Sequence, residues 1–186
     1  EGVVRIYTQD SGIVGFGRIG QAVGRRAVGF GMRVLYYDAL PVTPKQQPSP
    51  QPTYYDLDTL LTESDFVSLH VPLSDETRHL IDARRLSMMK KTAFLVNVSR
   101  GPVVDEQALL EALRAGTIAG AALDVFEREP ELTPGLAELP NVVLTPHIGS
   151  GSWETRTNMA HVAVRNILAA LDGDTPPNLV NTPVPR

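Results

Sequence analysis

Ile13-Val14-Gly15-Phe16-Gly17-Arg18-Ile19-Gly20 is the stretch that decides the fold of this chain. Two branched apolar residues close a short strand run. Three glycines follow with the spacing G-x-G-x-x-G, and a helical pattern opens at the last of them. Gly15 permits a tight turn, Gly17 leaves room for a pyrophosphate to touch backbone, and Gly20 lets the helix lie close on the strand. The free amides and the positive end of that helix then face the phosphates. A second strand run, Arg33–Tyr37, leads into Asp38. A carboxylate there accepts hydrogen bonds from adenosine ribose hydroxyls and repels a 2′-phosphate. No base follows in Ala39-Leu40-Pro41, so NAD is expected over NADP. A glycine-rich turn that only packs is the plainer reading of the triplet alone. Strand, triplet, helix, strand and acid in register argue against it. A flavin or S-adenosylmethionine site on the same fold fits the motif as well.

Working outward, short apolar runs recur at Gly12–Gly15, Arg33–Tyr37, Phe66–His70, Ala93–Val98, Ala119–Val125 and Val142–Thr145. Several are apolar at nearly every position, the pattern of strands covered on both faces. Helical spacing fills the gaps. Ile19, Ala22, Val23, Ala27 and Phe30 fall on one face. Asp105 is placed to cap a helix through Leu109, Ala112 and Leu113, with Gly116 just past its end. The longest helix is expected over Ser152–Leu171, with a buried stripe of Ala160, Ala163, Val164, Ile167, Leu168 and Leu171 and a stop at Gly173. Strands alternating with helices predict an α/β fold, a doubly wound parallel sheet. Ligands of such sheets bind at the carboxyl ends of the strands. The stretch Pro41–Pro52, rich in proline, reads as an exposed loop.

Composition narrows the function classes. The 186 residues are 42% hydrophobic and 20% charged, as in a globular domain. With no cysteine, thiol catalysis, thiolate metal sites and a disulfide scaffold are excluded. A formal charge of −4 gives no global attraction to nucleic acid or anionic lipid. No apolar run reaches the length of a membrane span, and the first residues lack the pattern of a signal peptide. A cytoplasmic protein is the expectation. No His/Asp/Glu set has metal-ligand spacing, so no metal is expected.

The later strand ends carry ionisable residues. Asn97-Val98-Ser99-Arg100-Gly101 follows an apolar run. An arginine at a strand mouth can clamp a carboxylate with its planar two-pronged donor, although taken alone it reads more readily as a surface ion pair. Asp124 closes another strand and could accept from a nicotinamide carboxamide, and Glu129 lies in the loop beyond it. His147 stands between Pro146 and a glycine-serine loop rather than on an amphipathic face. Beside a carboxylate such as Glu129 it would hold its proton more readily, as a general acid near neutral pH requires. His70 ends a strand and reads as lining the adenosine side. His79 and His161 sit in helical patterns and read as surface or packing residues.

Gly15–Gly20 with Asp38, Ser68–Leu73, Asn97–Gly101, Leu123–Pro130 and Pro146–Ser150 together resemble the consecutive signatures of the D-isomer-specific 2-hydroxyacid dehydrogenases. The resemblance runs from Gly12 to about Asn181. It implies an NAD-dependent oxidoreductase that interconverts a small 2-keto acid and a D-2-hydroxy acid. Arg100 would bind the substrate carboxylate, His147 would give and take the proton, and Glu129 would hold His147 in its charged form. Arg18 and Ile19 would meet the pyrophosphate through backbone amides. Val71, Pro72 and Thr77 would line the adenosine and phosphate side with His70. Val98, Ser99, Arg100, Asp124, His147, Gly149 and Ser150 would approach the nicotinamide half. Glu129 argues against the formate dehydrogenase branch, which carries glutamine there. Pro146–Ser150 looks closest to the glyoxylate/hydroxypyruvate reductase and phosphoglycerate dehydrogenase branches, the first preferred.

Members of that family have a second, substrate-side domain. Residues 1–11 are therefore expected to be a remnant or irregular lead-in, with polar Thr8–Ser11 interrupting the first strand. Residues 12–181 would form the NAD-binding domain and 182–186 a tail towards a substrate domain. Such a chain should bind NAD and turn over poorly alone. The contrasting expectation is an NAD-sensing, corepressor-like binding module without turnover, against which Arg100, Glu129 and His147 all argue. The resemblance also implies a homodimer through the nucleotide-binding domain. Trp153 suits either a partner contact or core packing.

Overall fold

The computed structural model describes residues 9–40 and 51–181. The chain divides into two compact units, Glu1–Pro146 and His147–Arg186. In the first, seven strands form one wholly parallel sheet: β1 (Asp10–Val14), β2 (Arg33–Tyr37), β3 (Thr53–Tyr54), β4 (Phe66–Leu69), β5 (Phe94–Asn97), β6 (Gly120–Leu123) and β7 (Val142–Leu144). Their spatial order is β3-β2-β1-β4-β5-β6-β7. The chain winds outward on one side of β1 and returns to build the other, so strand order reverses between β1 and β4. This is the expected doubly wound, Rossmann-type sheet.

Register places the strand ends in one row. Val14 pairs with both Tyr37 and Leu69, Leu69 with Asn97, Asn97 with Leu123, and Leu123 with Leu144. The residues that follow these partners therefore emerge side by side at the carboxyl edge. Alternation along the strands feeds two cores. Val14, Leu35, Val67, Leu69, Leu95 and Leu123 join the larger one, with Leu60, Leu61, Leu86 and Leu109 from the helices. Ile13, Val34 and Tyr36 point to the smaller core with Phe16 and Ala27.

Four helices flank this sheet: α1 (Arg18–Gly29), α2 (Leu57–Glu63), α3 (Ala83–Met88) and α4 (Glu106–Arg114). Asp56, Asp82 and Asp105 cap α2, α3 and α4 by accepting from the Thr59, Arg85 and Ala108 amides. Each such cap contributes about 1 kcal/mol. Gly116 follows α4 with φ +64°, as the helix stop required.

Several expectations are corrected. Asp10 and Ser11 do not interrupt the first strand but belong to β1. Asp10 tolerates the position because its carboxylate takes two hydrogen bonds from Arg33. Ile19 and Phe30 are 66% and 62% exposed, so they leave the buried face of α1 to Gly20, Gly24 and Ala27. The two glycines let α1 lie close, and a Cβ on Gly24 would already sit 3.2 Å from Phe16. His79 is in a turn with φ +48°, not a helix. Of the proline-rich stretch, residues 41–50 lie outside the described residues, as do residues 1–8 of the expected lead-in and the expected tail over 182–186. Pro52 is buried just before β3, not exposed.

The second unit is built on α5 (Trp153–Leu171), capped by Ser152. Asn166 exchanges hydrogen bonds with Asn178, folding the following segment back along the helix. The expected buried stripe is not formed, because none of the residues of α5 is buried. Trp153 is 90% exposed, which removes core packing as its role within the chain.

Candidate functional site

At the β1 end, Gly15 turns with φ +91°, and its amide donates to the Tyr37 carbonyl at 2.8 Å. A Cβ on Gly15 would lie 2.7 Å from the His70 carbonyl carbon, and one on Gly20 would lie 2.1 Å from the Gly15 oxygen. Both glycines are thus demanded by the fold itself. Gly17 is different. It is the N-cap of α1 with an ordinary φ of −72°, and a Cβ there would meet nothing within 4 Å. Among the described residues no contact explains a glycine at this place, whereas a close-lying pyrophosphate does. Arg18 and Ile19 open α1 beside it, both exposed.

Asp38 closes the turn from the β2 side. One carboxylate oxygen accepts from the Phe16 amide at 2.7 Å and the other from Leu40 at 3.0 Å. It therefore ties the glycine turn to the second strand. A cleft of about 440 Å³ opens here, bounded by Gly15, Gly17, Asp38, His70, Pro72 and Thr77, with Val71 among its other walls. No lysine or arginine is among its described walls, while Glu76 adds a second acid. His70 follows β4, its Nε2 lying 2.9 Å from Ser68 Oγ. Burial holds its imidazole below the ordinary range, favouring the neutral ring. Thr77 Oγ1 donates to Pro72 O and accepts from the Ser74 amide, fixing the loop that forms the wall.

At the β5 end a buried side chain shapes the loop. Asn97 Oδ1 accepts from both the amide and the hydroxyl of Ser99, and its Nδ2 donates to the Arg100 carbonyl. Val98 and Arg100 are left exposed on either side of buried Ser99. Arg100 Nη1 also donates to Ser99 O at 2.7 Å. The β6 end carries Asp124, buried and accepting from Thr145 Oγ1 at 2.5 Å, which couples the mouths of β6 and β7. In the loop beyond it, Glu129 Oε1 accepts from the Phe126 amide at 3.1 Å. The loops of Arg100 and Glu129 touch backbone to backbone, since a Cβ on Gly101 would fall 1.8 Å from Phe126 O.

His147, Gly149 and Ser150 belong to the second unit. His147 holds a left-handed φ of +53°, and the turn after it is closed by Gly151 N–H donating to Ile148 O at 2.8 Å. Ser150 O accepts from Arg156 Nε on the first turn of α5. Thus the first unit assembles the glycine turn, Asp38, His70, Val71, Pro72 and Thr77 around one cleft, and the Arg100 and Glu129 loops around another part of the same sheet edge. Sequence reasoning missed Asn97 as the staple of the Arg100 loop, although it stood in the quoted motif. It also missed Glu106, Glu127 and His79. A buried glutamate just inside a helix start has no signature that separates it from a solvated one. Among the described residues no group of three or more His, Cys, Asp or Glu could hold a metal ion, and no helix is long and apolar enough to cross a membrane.

A parallel sheet with a glycine turn, helix N-terminus and strand-end acid at its switch point defines a dinucleotide-binding domain. The family described as D-isomer specific 2-hydroxyacid dehydrogenase, NAD binding domain, matches residues 2–149. A glyoxylate reductase of Thermococcus litoralis is 53% identical over 173 residues, covering 93% of this chain and 52% of the relative. The TT0316 protein from Thermus thermophilus superposes with a TM-score of 0.87 at 50% identity, over 96% of this chain and 55% of that one. The NAD-complexed D-isomer specific 2-hydroxyacid dehydrogenase from Lactobacillus delbrueckii ssp. bulgaricus gives a TM-score of 0.83 at 37% identity, over 96% and 57%. The chain spans about half the length of the curated relatives it matches. It belongs to the D-isomer specific 2-hydroxyacid dehydrogenase family, of which it carries the NAD-binding domain. Its cofactor class is a nicotinamide dinucleotide.

Proposed function

We propose that this chain is the cofactor-binding part of an NAD-dependent dehydrogenase that interconverts a small 2-keto acid and a D-2-hydroxy acid, with glyoxylate or hydroxypyruvate as the keto acid. One observation carries the reading. The arginine-bearing loop after β5 and the glutamate-bearing loop after β6 are locked together at Gly101 and Phe126, on the edge that also holds the glycine turn. A module that only senses a nucleotide has less need of an arginine and a glutamate on those loops. The similarity to glyoxylate reductases supports the choice of substrate.

When bound, a nicotinamide dinucleotide supplies or takes up the hydride exchanged with the substrate carbon. The amides of Arg18 and Ile19 hold the pyrophosphate, and Asp38 accepts from the adenosine ribose. Asp38 at the end of β2 favours NAD over NADP, since its carboxylate would repel a 2′-phosphate and no described base lines the cleft. Val98, Ser99, Asp124, Gly149 and Ser150 serve the nicotinamide half. Arg100 clamps the substrate carboxylate and stabilises negative charge developing on the carbonyl oxygen. His147 delivers a proton to that oxygen in reduction and removes it in oxidation, with Glu129 favouring the imidazolium.

The exposed Trp153, Ile167, Leu168 and Leu171 of α5 fit a homodimer, to be tested by sedimentation of the wild type and Trp153→Ala. The reading sets the reaction in the cytoplasm, which cell fractionation tests. The function itself is tested in the full reading frame that encodes this chain, by following NADH oxidation with glyoxylate. Arg100→Lys removes the two-pronged donor, and kcat/KM for glyoxylate should fall about 10- to 100-fold, the worth of a charged hydrogen bond. Normal turnover by that variant would remove the clamp role.

A further inference from the structure

A buried acid outside the residues assigned above is hydrogen-bonded to the segment that follows β6. Glu106, the first residue of α4, is 2% exposed. Its Oε1 accepts from the Glu127 amide at 2.6 Å, and its Oε2 accepts from Thr133 Oγ1 at 2.7 Å. Glu127 answers in kind, its Oε2 accepting from the Glu106 amide at 3.3 Å. The other oxygen of Glu127 lies 2.8 Å from His79 Nε2. His79 in turn donates its own amide to the Pro102 carbonyl at 2.8 Å. The brace thus runs from Thr133 through Glu106 and Glu127 to His79, and from there to the segment next to Arg100. Inside it, Gly101 lies against Phe126, whose amide donates to Glu129.

Burying a carboxylate is costly unless its oxygens are hydrogen-bonded. Glu106 meets that condition with one bond per oxygen, both to the loop 124–134, and it stands at a helix N-terminus that favours negative charge. That loop is largely irregular, so its geometry depends on such side-chain bonds. We infer that Glu106 is a positioning residue: it sets the loop that presents Glu129 and, through Glu127 and His79, the segment that presents Arg100. The inference rests on the proposed roles of Arg100 and Glu129.

The test uses the full reading frame, with Glu106→Ala and Glu106→Gln. Misplacement of reacting groups by about 1 Å costs up to about 100-fold. Glu106→Ala should therefore lower kcat for glyoxylate about 10- to 100-fold while NADH affinity falls much less, because the adenosine cleft is built from other loops and only contacts to the nicotinamide half would shift. Glu106→Gln keeps an acceptor for Glu127 and a partner for the rotatable Thr133 hydroxyl, and should restore kcat to within about threefold. Amide exchange at Phe126 and Glu127 should quicken in the alanine variant and not in the glutamine variant. If Glu106→Ala does not fold, Thr133→Val removes one of the two loop bonds and should show the same split in milder form. A folded Glu106→Ala, or Thr133→Val in its place, with wild-type kcat overturns the inference alone. So does a kcat loss matched by an equal loss of NADH affinity. A wild type that turns over no 2-keto acid overturns the functional reading and the assignment with it, even where amide exchange still reports the brace.

Discussion

Gly101 and Phe126 are in backbone contact: a side chain on Gly101 would have to occupy the space of the Phe126 carbonyl, 1.8 Å from its oxygen and 1.9 Å from its carbon. The two residues follow neighbouring parallel strands, and each adjoins a loop that carries a charged group. Because both surfaces are backbone, neither can turn aside as a flexible side chain would.

Gly101→Ala should therefore push the two loops apart. Overpacking against backbone sits at the upper end of its usual cost, about 3 kcal/mol. For a chain of this size that is a fall in melting temperature of roughly 6 to 12 °C. Calorimetry of the wild type and variant measures it, and an unchanged melting temperature would mean that the loops are not held this way.

Under the proposed function, Asp38 selects NAD through the charge of its carboxylate. Asp38→Ser keeps a short polar side chain at the end of β2 but removes the carboxylate facing a 2′-phosphate. Affinity for NADPH relative to NADH should rise at least about tenfold, equivalent to about 1.4 kcal/mol. Fluorescence titration with the two reduced cofactors reads the ratio. Loss of the Phe16 and Leu40 bonds lowers affinity for both, so the ratio is the informative quantity.

His70 ties stability to pH with a definite sign. Burial lowers its pKa from the ordinary 6.5, so the folded chain resists protonation more than the unfolded chain does. Above 6.5 both states carry a neutral ring, and His70 adds no pH dependence. As pH falls below that value the unfolded chain takes up the proton first, and stability is lost until the folded ring also protonates. His70→Gln should remove this component. Urea midpoints of wild type and variant at pH 7.5 and in mildly acidic buffer should converge towards low pH relative to their difference at high pH.

The sheet is legible in the sequence because each central strand is a short apolar run, and the run Arg33–Tyr37 coincides with β2. β3, only two residues long, has too little pattern to be seen. Polar Asp10 and Ser11 hid the start of β1, since the compensating Arg33 comes from the next strand. The glycine turn and Asp38 were legible because their spacing is set by local geometry. The brace through Glu106, Glu127 and His79 was not, because its members are brought together across 48 positions by tertiary packing alone. Similarly, α5 has the apolar content of a packed helix, yet its residues are not buried within the chain. A periodic stripe records that a face suits burial, not what would cover it.

The central claim is that a nicotinamide dinucleotide lies against the turn Gly15–Gly20, and Gly17 tests it most directly. Its Cβ position meets nothing within 4 Å among the described residues, so Gly17→Val should leave the fold intact, at a cost of about 1 kcal/mol for a changed helix N-cap. The same side chain would stand where the pyrophosphate must approach. Calorimetric titration of NADH should show one site per wild-type chain and an affinity at least about tenfold weaker in the variant, at nearly equal melting temperature. Equal affinity for NADH in the two proteins would contradict the account.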